Sequence, residues 1–369
     1  MTILSPNFHS PYVFPAGDND FDSCFLAPRG IQVTEKNLFV SDTAQNQIFY
    51  WNLDRNGDLV EENPSIIKTA SITNKDAKFT FHYPSGLWSD GEKLIIADAW
   101  SHRVLVWHEL PKNNAQLPDL VIGQPNLETC EINTTGEINK PKSDSLYWPY
   151  GVYYHKGQLW IADTGNRRIL VYDKLPTENG SKADAVIGQQ DFFSRDYSKD
   201  YFVWPYSVKI NEKGEMLVAD TSCFRVVYWG DYQDAFKQSF DLVLGQKNDE
   251  GSLQNNGLLK ASASGLNWCY DALFFKDGLL VADTGNSRIM QWNQIPKENG
   301  TAANHLLGQT SFEASAENSS IFHRKKNNFY WPFSLSLNKS HLWIADTGNN
   351  RVVRYNIAPS SSVNKDSNK

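Results

Sequence analysis

The chain has 369 residues, 40% hydrophobic and 13% aromatic, which is enough to bury a large core, and its formal net charge is −7. With no excess of Lys and Arg, sequence-independent attraction to nucleic-acid phosphate is expected to be weak, and no apolar run reaches the length of a membrane span. The stretch from Met1 to Asn7 lacks a charged region followed by an apolar one, so no secretory signal is expected, and four cysteines without close spacing suit a reducing cytoplasm.

Taken in chain order, the first element is a short apolar segment, Tyr12-Val13-Phe14, followed by Ala16-Gly17. A unit then recurs six times around Asp42, Asp98, Asp163, Asp220, Asp283 and Asp346, at spacings of 56, 65, 57, 63 and 63 residues. Periods of this length indicate solenoids or propellers. Before each Asp lies a strand apolar on both faces, such as Leu159-Trp160-Ile161-Ala162, so each sheet must be covered on both sides. A tight turn follows, spelled Asp-Thr-Gly-Asn in three copies, and Gly and Asn tolerate the positive φ that such turns need. Nine residues after the Asp stands an aromatic in all six copies: Trp51, Trp107, Tyr172, Trp229, Trp292 and Tyr355. Five residues after it stands Arg in five copies (Arg103, Arg168, Arg225, Arg288 and Arg351) and Gln47 in the first. Five repeated Asp–Arg pairs fit a structural role better than a catalytic one.

Each unit begins with a Pro-aromatic lead-in, as in Trp148-Pro149-Tyr150-Gly151, Trp204-Pro205-Tyr206-Ser207 and Trp331-Pro332-Phe333-Ser334, with Trp268-Cys269-Tyr270-Asp271 and Ala27-Pro28-Arg29-Gly30 as variants. Four units end in a short strand closing on Gly-Gln, at Gln124, Gln189, Gln246 and Gln309. Four strands fit each repeat, and six such sheets set radially make an all-β, six-bladed propeller of four-stranded antiparallel blades. The sixth unit has no Gly-Gln strand, so the missing outer strand is expected from residues 10–16, closing the ring and removing exposed edges. One propeller is expected over residues 1–358, with a polar, disordered tail at 359–369.

On these motifs the chain resembles the NHL-repeat family over roughly residues 24–358. The resemblance implies a binding or scaffold propeller. It also brings in related lyases that split peptidyl-α-hydroxyglycine, which place His after the lead-in Pro so that several converge on an axial metal. Here those positions hold Arg29, Ser85, Tyr150, Tyr206, Tyr270 and Phe333, none of them His. No cofactor and no axial metal are therefore expected.

Antiparallel order places the lead-ins, the Asp turns and the long loops after Gly-Gln on one face, called the top. The candidate binding site lies there: Arg29, Ser85, Tyr150, Tyr206, Tyr270, Asp271 and Phe333 at the axis, with Trp148, Trp204, Trp268, Trp331 and His82 around it. Aromatic and Arg side chains in a concave mouth suit a protein or peptide partner. The alternative is an enzyme of the propeller lyase or hydrolase type using His82, His102, Tyr270 and Asp271 at the axis. All four cysteines map to the top face, and Cys223 and Cys269 are expected to be close, but buried thiols account for them as well as a metal does. A basic stretch, His323-Arg324-Lys325-Lys326, reads as a solvated loop. The expectation is a monomeric, cytoplasmic, non-catalytic propeller that binds a protein or peptide, not nucleic acid or membrane.

Overall fold

The computed structural model describes residues 5–14, 24–61, 63–67, 80–113, 116–197, 201–319 and 325–358. His323, Arg324 and the expected tail at 359–369 lie outside these. Among the described residues, six four-stranded antiparallel sheets form the blades of a propeller. Blade 3 shows the plan. Pro149–His155 lies innermost, followed outward by Gln158–Asp163, Arg168–Tyr172 and Ala185–Ile187. The core is divided into six clusters, each shared by two neighbouring blades. This is why the second strand of every unit is apolar on both faces.

The last blade takes its outer strand from the start of the chain, Phe8–Phe14, which pairs antiparallel with Arg351–Ile357. The strand begins two residues earlier than the sequence suggests. It carries an irregularity between His9 and Tyr12, where Ser10 has a φ of +49° and Pro11 has no N–H, and then resumes its pairing.

The repeated Asp is a buried hub. The Asp163 carboxylate accepts from the Tyr147 amide (2.7 Å), from Asn166 Nδ2 (2.8 Å) and from Arg168 Nε (2.8 Å). Arg168 spends its remaining donors on the carbonyls of Phe192, Lys142 and Ser145. The Thr after the Asp reaches across to the next blade's lead-in: Thr164 to the Pro205 carbonyl, Thr221 to Cys269, Thr284 to Pro332 and Thr347 to Pro28, which closes the ring. The Gln of each Gly-Gln pair donates to the carbonyl of the left-handed residue that ends the Asp turn, for example Gln124 to His102 (3.1 Å) and Gln246 to Phe224 (3.1 Å). Asp turns, lead-ins and Gly-Gln loops therefore share one face, as expected.

The third-to-fourth-strand connections leave from the opposite face but fold back along the rim. The aromatic nine after the Asp anchors them: Trp107, Tyr172, Trp229 and Trp292 each donate to the carbonyl nine residues further on. In blade 3, Asn179 Oδ1 accepts from the Val121 amide (2.9 Å) and the Gly180 amide donates to the Val121 carbonyl (3.0 Å), so this connection clasps the outer strand of blade 2. Asn299 and Gly300 do the same to Val243 of blade 4. Ser5, preceding the closing strand, donates from its amide to Leu306 on the edge of blade 5.

Candidate functional site

The axial site begins with a backbone irregularity repeated six times. The pairing of each inner strand shifts register just after its first residue, between Pro28 and Gly30, Pro84 and Leu87, Pro149 and Gly151, Pro205 and Ser207, Cys269 and Asp271, and Pro332 and Ser334. A bulge of this kind re-aims a side chain. The residues it frees are Arg29, Ser85, Tyr150, Tyr206, Tyr270 and Phe333. Neighbouring inner strands approach so closely that a Cβ on Gly30 would lie 2.1 Å from the Ser85 carbonyl oxygen.

The six side chains pack against one another instead of leaving an open aromatic cup. Tyr150 stacks on Tyr206 (centroids 4.7 Å), Tyr206 meets Tyr270 edge to face (4.6 Å), and Tyr270 stacks on Phe333 (4.2 Å). The Arg29 guanidinium lies over the Phe333 ring at 4.2 Å and over Tyr83 at 5.0 Å. Ser85 is too small to complete the circle. Tyr83 leans in beside it to reach Tyr150 (6.2 Å), backed by Trp100 stacked at 4.6 Å. Ser85 Oγ meets Tyr206 Oη at 3.2 Å, and Trp100 Nε1 donates to Tyr150 Oη at 3.4 Å. The space left at the centre is about 30 Å³, room for a water or a small head group.

The electrostatics of the ring are lopsided. Burial pushes the Tyr83 phenol up to about 12, and pushes Tyr150 and Tyr270 further in the same direction, so all three stay neutral. Burial works against the charge on Arg29, but the phenol oxygens of Tyr206, Tyr83 and Tyr270 outweigh it, and the guanidinium remains charged. Asp271 is turned to a different task. Its Oδ2 accepts from Ser334 Oγ (3.0 Å) and the Leu335 amide (2.9 Å), joining blade 5 to blade 6.

Around the ring, the residues before the lead-in Pro or Cys form a raised rim. Tyr83, Trp148, Trp268 and Trp331 all have left-handed backbones, with φ of +61°, +50°, +46° and +55°. Bulky side chains rarely adopt this region, and local strain of this kind clusters at working surfaces. Trp268 and Trp331 are each 44% exposed, and Trp148 packs near Trp204 at 6.1 Å.

The histidines do not form a pair. His82 is exposed. His102 is buried against Tyr147, and its Nδ1 accepts from the Trp148 amide (3.2 Å). Burial pushes His102 down from 6.5 to about 4. Because the unfolded chain takes up the proton first, the stability held by the neutral ring is complete above about pH 6.5 and is lost as pH falls toward 4. Melting curves should therefore show the wild type losing stability across this window faster than His102→Asn, which keeps an acceptor and tolerates the left-handed backbone. Parallel curves would count against this role.

Cys223 and Cys269 are both buried and close enough for the charge state of one to be felt by the other. Cys269 Sγ donates to the Arg225 carbonyl, and burial pushes its thiol well up, so it is a poor metal ligand. Among the described residues no group of three His, Cys, Asp or Glu is placed to hold a metal ion.

Two residues of the axial site, Tyr83 and Trp100, are absent from the sequence-derived candidates. The available signal was Trp100 itself, which stands where three other copies have Gly in the Asp-turn motif. The structure also opens a roomier cavity, about 300 Å³, at the opposite mouth of the channel, bounded by Gln32, Tyr153, Lys209, Glu212, Phe274 and Leu337.

No protein-family model matches the chain, and no curated protein matches it. Solved structures do. Hydrazine synthase of Kuenenia stuttgartiensis aligns over 95% of this chain and 100% of that one, with 11% identity and a TM-score of 0.50. A Bacteroides thetaiotaomicron protein of unknown function aligns over 90% of this chain and 70% of that one, with 10% identity and a TM-score of 0.50. A streptogramin B lyase aligns over 95% and 98%, with 11% identity and a TM-score of 0.48. At such identities the likeness is one of fold alone.

Proposed function

We propose that this chain is an NHL-type propeller, a single domain over residues 1–358, that captures a protein or peptide through its top face without performing chemistry on it. The observation that carries the reading is the distribution of exposed apolar side chains. Of the twelve large ones exposed among the described residues, all but Tyr12 and Val60 lie on the top face or its loops, including Trp100, Phe193, Leu259, Trp268 and Trp331. Scattered apolar residues need no explanation, but ten of them gathered on one face support a docking role. Strained rim aromatics and long loops on a rigid frame support the same reading. On this reading the molecule works as a cytoplasmic monomer.

The test is capture of partner by variants of the two faces. Trp268→Ala and Trp331→Ala should each weaken capture about tenfold or more, roughly 1.5–3 kcal/mol at the centre of an interface. Both side chains are nearly half exposed, so the variants should fold normally. Glu178→Ala and Glu298→Ala, on the exposed rim connections, should be nearly silent. Capture that survives the Trp variants but is lost on Lys209→Ala or Phe274→Asp would move the function to the opposite mouth.

A further inference from the structure

The five turn arginines and Arg29 are opposites. Each turn arginine is buried against its own Asp at 2.7–3.0 Å. Arg29 has no ion pair among the described residues, and its Nε is buried with no hydrogen-bond partner. The side chain is half-buried, and ring stacking on Phe333 and Tyr83 leaves its donors without an anionic partner. The nearest acid of the ring, Asp271, is committed to Ser334 and Leu335. The polar groups around Arg29 include the hydroxyls of Ser85, Tyr83, Tyr206 and Tyr270, which can donate to an anion. The central space, about 30 Å³, admits a head group and no more.

We propose that Arg29 is the seat of a carboxylate presented by the bound partner. The carboxylate enters from the top face and pairs with the guanidinium held between Phe333 and Tyr83. It accepts in addition from the hydroxyl groups of the ring, Tyr206 foremost, because that phenol already lies beside both Ser85 and Arg29. Charge-assisted bonds in a site of low polarity are the strong ones. Lys209 also lines this space, together with Asp271, and the small volume is what disfavours a phosphate. The proposal rests on the partner-binding reading above and names the chemistry recognised at the centre of that face. The rim tryptophans then hold the apolar part of the partner while the axis reads its acidic group.

The experiment is titration of the full chain, by calorimetry and by the fluorescence of Trp100 on Tyr83, with two carboxylate probes and their neutral amides. N-Acetylglycine stands for a chain-terminal carboxylate and N-acetylglutamic acid α-amide for a side-chain one, with N-acetylglycinamide, N-acetylglutaminamide and inorganic phosphate as controls. At least one carboxylate should bind saturably, and the one that binds more tightly identifies the source. Its amide and phosphate should not bind. Arg29→Gln should weaken the carboxylate about tenfold or more, and Tyr206→Phe, which keeps the ring stack, severalfold. Arg29→Gln should fold normally, because the side chain it replaces is only half-buried. The proposal is overturned by equal binding of acid and amide, by preference for phosphate, by no saturable binding of either acid, or by indifference to Arg29→Gln and Tyr206→Phe. Any of these outcomes alongside normal dependence of partner capture on Trp268 and Trp331 would remove the carboxylate and leave the docking face standing.

Discussion

A chain beginning at residue 18 should fail to hold a closed ring. The deleted segment carries the outer strand of blade 6, and its buried Phe8, Val13 and Phe14 are 7%, 9% and 6% exposed. They do more than cover one sheet. Phe8 packs on Phe275 of blade 5 at 4.9 Å and Phe14 on Trp51 of blade 1 at 4.9 Å, so the strand spans both interfaces of its blade. At about 1.5–3 kcal/mol for each buried side chain, the loss is roughly 5–9 kcal/mol, comparable with the whole stability of an ordinary domain. Calorimetry or circular dichroism should show the truncated protein unfolded, or melting many degrees lower. A synthetic peptide of residues 1–17 should restore part of the loss by mass action. A truncated chain that melts like the intact one would refute the closure.

The second large effect is expected at the turn hubs. Asp163→Ala leaves the Arg168 guanidinium fully buried without its counter-charge, strands the Tyr147 amide and takes one of the two acceptors of Asn166 Nδ2, the other being Asn133 Oδ1. Breaking one partner of a buried pair costs about 3–5 kcal/mol, more than the pair itself contributes. Guanidinium unfolding should report that loss, and Asp163→Asn, which keeps the acceptor oxygen, should fall between. Partner capture per folded molecule should be unchanged. Normal stability with lost capture would make the hub a recognition element instead.

The architecture was readable because the repeat states it six times, and the shared face followed from antiparallel order alone. The bridge from the last repeat back to Tyr12-Val13-Phe14 was readable from a deficit, since a fourth strand was missing. The condition of the axis was harder to read. A row of letters names Tyr150, Tyr206, Tyr270 and Phe333 but does not say whether rings on different blades touch, and here they touch and narrow the mouth to a space of about 30 Å³. Asp271 reads in the sequence as an axial candidate, and its bonds to Ser334 and the Leu335 amide are hidden because these partners are more than sixty residues away. Tyr83 was hidden by the smallness of its neighbour Ser85, which matters only once the circle is drawn in space.

The clasps along the rim give the ring a direction. Blade 3 holds the edge of blade 2, blade 5 holds that of blade 4, and the segment before the closing strand holds that of blade 5. Each hand points backward around the ring, from a blade to its predecessor, and the Thr bonds at the top point forward. A local opening is therefore not symmetrical. When one blade's rim connection lifts, it exposes the edge of its predecessor and leaves that of its successor covered. Thermal breathing of the outer rim should travel one way around the circle, while the Thr bonds steady the axis against it.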